Sequence, residues 1–248
     1  PLVMYGPSGP EPKYGMRHFV EKQMESFAWD TDTRHGLLPD AGAEVEVHEF
    51  EFAKAGVIYE KNGVVIKSFP AVHIYDGPVS LRLEWNGLCF VFSGDTTPSQ
   101  FMIDHAKGAD LMVHEAFNTV SQLMARSGYD ERMARGIGTI AHTAPSEVGH
   151  VFAQIQPRHA AIYHFFNDFD TAGEMERDVR IGWQGPLSLA KDLMVFNLTK
   201  DEVLVRMAVT PDHVWPNKKE HQSFLSGPRK AKLQMSRWLA DQQLFPKF

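Results

Sequence analysis

Apolar and polar positions change their period along the chain, and each change predicts an element. Residues 2–5, Leu2-Val3-Met4-Tyr5, form a short apolar strand closed by the turn-rich run Gly6-Pro7-Ser8-Gly9-Pro10. Phe19, Val20, Met24 and Phe27 recur at helical spacing and predict a helix over residues 16–27. Residues 30–43 carry no period and read as an exposed connection. From Glu44 the period drops to two, with Val45, Val47, Phe50 and Phe52 alternating against acidic residues and His48 as on a half-buried strand. Two hairpins follow: residues 57–59 and 64–69 around Lys61-Asn62-Gly63, and residues 79–84 and 88–92 around Trp85-Asn86-Gly87.

Beyond residue 94 helices and strands alternate. Helices are predicted over 98–106, 118–126 and 145–155, the last with Pro145 in its first turn, and strands over 111–113 and 160–163. Residues 194–198 and 203–208 make a closing hairpin. Hairpins followed by β-α-β units indicate an α/β (α+β) protein in which helices cover sheets. The stretch 216–248 differs: it holds Lys218, Lys219, Arg229, Lys230, Lys232 and Arg237. An amphipathic helix over 229–243 is predicted there, with Leu233, Met235, Trp238 and Leu239 on one face packing on the domain or on a second subunit. A homo-oligomer is therefore expected.

Composition narrows the classes. Among 248 residues, 43% hydrophobic and 23% charged is an ordinary globular balance, and a net charge of -6 gives no electrostatic footprint for nucleic acid. The one cysteine, Cys89, lies in the apolar run Leu88-Cys89-Phe90-Val91-Phe92, where a buried inert thiol is expected. No apolar stretch reaches membrane-spanning length and no leader pattern opens the chain, so a cytoplasmic location is expected, although the chain starts at Pro1 rather than Met.

Five short segments place histidine or carboxylate where a strand should end or a helix begin. They are Pro70-Ala71-Val72-His73, Phe92-Ser93-Gly94-Asp95-Thr96, Val113-His114-Glu115-Ala116-Phe117, His142-Thr143-Ala144-Pro145 and Ile162-Tyr163-His164-Phe165. Ligands gather at strand ends because loops there converge polar groups over a rigid base. Singly, each is weak: a histidine after an apolar strand is commonly a satisfied rim residue, and His18, His35, His48, His105, His150, His159, His213 and His221 are read that way. Imidazole with carboxylate suits zinc, with manganese or iron as alternatives.

The ordered set His73, Asp95, His114-Glu115-Ala116, His142-Thr143 and His164-Phe165 resembles the metallo-β-lactamase superfamily, in the branch shared by ribonuclease Z and arylsulfatase-like hydrolases. The resemblance covers roughly residues 1–208 and implies an αββα sandwich, with 1–215 the C-terminal portion of such a domain. It implies a hydrolase with two divalent metal ions, zinc first, held by His73, Asp95 as the bridge, and His164. It makes His142 and Glu115 the pair that delivers a proton to the leaving group, with His114 structural. Phe117, Phe165 and Asn167 are expected to contact substrate, with Phe166, Tyr75 and Trp183 as further pocket aromatics.

One signature of that family, His-x-His-x-Asp-His, is absent from the chain. Three ligands split between two cations are too few for tight binding, so an upstream segment or a separate chain is expected to supply the missing half. The family's tRNA-processing members carry a Gly/Pro-rich arm between the strands that here flank Trp85-Asn86-Gly87, a turn with no room for one. A small ester, lactone, sulfate ester or phosphodiester is thus the expected substrate, and nucleic acid is not. Two alternatives stay open: a nuclease using the basic tail as a clamp, and a non-catalytic protein with a decayed metal site.

Overall fold

The computed structural model describes residues 1–36, 39–210, 233 and 235–243. Its centre is a seven-stranded sheet ordered β3-β4-β5-β6-β7-β8-β9, made of Gly56–Lys61, Val64–Pro70, Val79–Trp85, Leu88–Phe92, Leu111–Glu115, His159–Tyr163 and Leu187–Leu189. The strands β3 to β6 run antiparallel, and β6 to β9 run parallel. Turn chemistry explains the first half. Asn62-Gly63 and Asn86-Gly87 all hold positive φ, the two-residue geometry whose twist matches the flanking strands. Parallel strands need crossovers, and helices supply them: α3 (Gln100–Ala106), α6 (Pro145–Ile155) and α7 (Ala172–Val179).

These helices close the core. Phe69, Val91, Met102, Met112, Val148, Phe152, Ile162, Met175, Val179 and Trp183 form one buried cluster between sheet and helices. The approach of α6 to the end of α7 is backbone on backbone. A Cβ on Gly149 would lie 2.2 Å from the Val179 carbonyl oxygen, and one on Gly182 would lie 2.5 Å from the His150 nitrogen. Between α3 and α6 lie α4 (Val120–Ser127), α5 (Glu131–Arg135) and a π-helical turn, Gly136–Ala141.

Two small sheets flank the large one. β1 (Leu2–Pro7) pairs in parallel with β2 (Val45–Phe50), linked by α1 (Met16–Ser26) and α2 (Ala28–Arg34). The ring of Tyr5 stacks on His48 and meets Tyr59 of β3 edge-on at 5.5 Å. β10 (Met194–Leu198) and β11 (Val203–Met207) form the expected closing hairpin. No helix among the described residues is long and apolar enough to cross a membrane.

Several expectations are corrected. The predicted connection 30–43 contains most of α2, which has no buried residue; Arg34 pairs with Asp30 at 2.8 Å one turn away, and Thr31 and Thr33 bond back to carbonyls. Phe52 lies beyond β2, and α5, the π turn, α7 and β9 were not anticipated. Trp183 is not a pocket aromatic: it is 5% exposed in the core, with Nε1 donating to the Pro186 carbonyl at 3.1 Å. Lys218, Lys219, Arg229, Lys230 and Lys232, and much of the predicted helix 229–243, lie outside the described residues. Of its described part only α8 (Arg237–Ala240) is helical, and Leu233, Met235, Trp238 and Leu239 are exposed.

Cys89 is buried, and desolvation pushes its thiol up to about 11. The thiolate is the reactive form, so the native protein at pH 8 should react with an aromatic disulfide reagent at least ~100-fold slower than free cysteine. Full reactivity should return in denaturant, and rapid native labelling would contradict this placement.

Candidate metal centre and active site

The site is assembled from loops at one end of the parallel strands. The loop after β4 carries His73 and is stitched to the loop after β6: Val72 N–H donates to Thr96 Oγ1 at 3.0 Å, and Thr97 N–H donates to the Val72 carbonyl at 2.7 Å. The β6 loop turns sharply at Gly94, with φ +62° and space for no side chain: a Cβ there would lie 2.9 Å from the Val79 carbonyl oxygen. That turn aims Asp95. Gly94→Ala should therefore lower unfolding stability by about 1–3 kcal/mol, read by urea titration, and should impair the site with it.

β7 ends in His114 and Glu115, both fully buried. Glu115 is the hub. Its Oε1 accepts from Thr96 N–H at 3.0 Å and is bonded to His142 Nδ1 at 2.9 Å, while Oε2 accepts from Thr143 N–H at 3.3 Å. Thr143 Oγ1 closes the ring by donating to the Thr96 carbonyl at 2.6 Å. Burial pushes the Glu115 carboxyl up to about 8, against the lowering pull of the two amides. Burial first, then His164 and His73, push His142 down to about 4. The pair therefore holds one proton between carboxylate and imidazole across neutral pH. His114 is structural: Nδ1 donates to the Glu115 carbonyl at 2.6 Å, and burial holds the ring neutral.

The π-helical turn ends at Ala141, immediately before His142. The Ala141 carbonyl accepts from His73 Nδ1 at 2.6 Å, which fixes the ring and leaves Nε2 as the nitrogen turned away from that bond. His164 follows β8 in a left-handed conformation, φ +74°, which brings its Cβ close to the backbone and is seldom adopted by a residue other than glycine. Its Nδ1 is 3.2 Å from Asp95 Oδ1, an ion-pair distance, but the angle does not make a hydrogen bond and the nitrogen is buried without such a partner.

The five residues converge. Donor atoms of His73, Asp95 and His142 lie within 4.8 Å of one another, as do those of Glu115, His142 and His164. The His142 ring centroid is 4.9 Å from those of both His73 and His164. Crowded imidazoles, a half-exposed carboxylate and an unpartnered nitrogen suit a divalent cation. Phe117 stacks on His142 at 4.5 Å and meets His164 edge-on at 5.2 Å. Beside it, Phe117, Asn118, His164, Phe165 and Phe166 line a cavity of about 350 Å³.

Comparison with known proteins follows the same lines. No family model matches the chain. Over 117 residues it is 32% identical to ribonuclease Z of Mycobacterium tuberculosis (strain ATCC 25177 / H37Ra), covering 46% of this chain and 40% of that one. Over that stretch the chain is similar to ribonuclease Z. Ribonuclease Z of Brevibacillus brevis is 42% identical over 73 residues, 29% of this chain and 22% of its own. The match thus spans less than half the length of either relative. Among solved structures, the metallo-β-lactamase fold protein YhfI from Bacillus subtilis superposes with a TM-score of 0.49 at 14% identity, covering 76% of this chain and 61% of that one.

Of the expected substrate contacts, Phe117 and Phe165 line the cavity. Asn167 does not: its amide donates to the Leu189 and Ala190 carbonyls and ties the loop to the end of β9. Tyr75, on the His73 loop, is 83% exposed and also lies outside the lining. Thr96 and Thr143 stand inside two of the motif segments without a role assigned from residue type, and the Ala141 carbonyl stands outside them. The threonines adjoin the motif residues and were the available signal; the carbonyl is set by the π turn, which no residue type announces.

Proposed function

We propose that this chain forms part of a metal-dependent hydrolase acting on an ester or phosphodiester. The observation that supports it is the gathering of His73, Asp95, His142, His164 and Glu115, from five separate segments, into two adjoining clusters that share His142. His73, Asp95 and His164 would hold two divalent cations, zinc by donor chemistry, with Asp95 shared. Bound there, the cations would supply positive charge that acidifies water and polarises the scissile bond.

The remaining steps belong to the chain's own groups. His142, oriented by Glu115 through Nδ1, gives a proton to the leaving oxygen and recovers it through the pair. Phe117 holds the imidazole flat against its own ring and excludes water from one face. The apolar cavity beside it takes the organic part of the substrate, which favours a small molecule carrying an aromatic or alkyl group. Further metal ligands would come from polypeptide beyond these five segments, because three ligands for two cations are too few.

The test uses the full-length protein against aryl esters, a lactone, an aryl sulfate and an activated phosphodiester. Turnover should fall at least ~100-fold on chelation and return with zinc; no hydrolysis of any member by the metal-loaded protein would sink the reading. A second reading, cleavage of RNA, draws on the ribonuclease Z name of the relatives. Against it stand the net charge of -6 and the two-residue turn between β5 and β6. Salt-sensitive cleavage of an RNA with a 3′ extension, without turnover of the small panel, would favour that reading.

A further inference from the structure

The wall of the cavity is held by a chain of side chains that reaches away from the site. The Phe166 N–H donates to Asn118 Oδ1 at 2.9 Å, and Asn118 Nδ2 donates to Gln122 Oε1 at 2.7 Å. Gln122 Nε2 then donates to both the Thr171 carbonyl and Glu174 Oε2, each at 3.1 Å. The other oxygen of Glu174 accepts from Thr119 Oγ1 at 2.9 Å and Ser121 Oγ at 3.0 Å, so one carboxylate on α7 also holds the N-cap residue of α4. The carbonyl of Phe166 is held as well, by Thr171 Oγ1. Asn118, Gln122 and Thr171 are buried.

Each amide has one orientation in this arrangement. Glu174 and the Thr171 carbonyl only accept, so Gln122 must present Nε2 to them and Oε1 to Asn118. Asn118 is thereby forced to offer Oδ1 to the Phe166 amide. The peptide of Phe166 is clamped on both sides two residues after His164, whose left-handed backbone persists only where its surroundings over-determine it. We propose that Asn118, Gln122 and Glu174 are positioning residues: a directional relay from α7 that fixes His164 and the Phe166 wall of the cavity. Only the effect on turnover rests on the hydrolase reading; the effect on the loop does not.

Asn118→Ala and, at the far end of the relay, Glu174→Ala test this in the full-length protein by hydrogen exchange. Exchange in the segment 164–171 should rise at least ~10-fold in both variants, with β7 and β8 unchanged. In hydrolysis, KM for an aryl ester should rise ~5-fold or more relative to KM for its methyl counterpart, a ratio that a smaller folded fraction does not move. Unchanged exchange over 164–171, or a rise shared equally by β7 and β8, would overturn the relay. A wild-type protein that turns over nothing would count against the hydrolase reading, and the exchange result would still decide this one.

Discussion

Asp95→Ala in the full-length protein should lower kcat/KM at least ~1,000-fold, with the thermal midpoint within about 2 °C of wild type. The asymmetry follows from where the side chain sits. Its carboxylate is 41% exposed and stands next to His164 rather than inside the core, while the turn that carries it is made by Gly94. The fold loses little; the site loses the acceptor through which both cations would be shared. Steady-state kinetics on the most active ester, alongside calorimetry, checks both halves. An Asp95→Ala protein with wild-type turnover would remove the site assignment.

Glu115→Ala should have the opposite profile, a loss of about 3–5 kcal/mol in unfolding free energy. Glu115 is fully buried, and its removal strands the amides of Thr96 and Thr143 together with His142 Nδ1. A buried donor left without an acceptor costs its full desolvation, and two amides are involved besides the imidazole nitrogen. Glu115→Gln, which keeps one acceptor oxygen but turns a donor toward these donors, should fall between the two. Urea titration reads the difference, and a loss under about 1 kcal/mol for the alanine variant would mean that water or rearrangement replaces the carboxylate. Activity should collapse in both variants, since His142 loses its orienting partner.

Legibility in the sequence followed locality. Asn62-Gly63 and Asn86-Gly87 specify their hairpins because φ above zero is a property of the residues themselves. β6, β7 and β8 were readable as apolar runs, and Asp95, Glu115 and His164 stand out because each ends or closely follows such a run. α2 was not, since a helix held by Asp30–Arg34 and threonine back-bonding leaves no apolar period. Trp183 was misplaced for a related reason, and Asn167 takes its loop-holding role for the same one. Both adjoin the site in sequence terms, yet one is drawn into the core and the other onto the carbonyls ending β9. The distances among the five site residues are tertiary facts, fixed by the π turn and by the loop holding His164, and no single residue type encodes them.

The contact of Gly149 with Gly182 bears on how the site ages under mutation. α6 starts three residues after His142, and α7 follows the loop that begins at His164. Where α6 meets the turn after α7, neither glycine carries a side chain that could shrink, rotate or be exchanged for a better fit. Drift elsewhere on these helices can be absorbed by repacking, but nothing at this point can give. Two imidazoles more than twenty residues apart thus ride on what is mechanically a single strut.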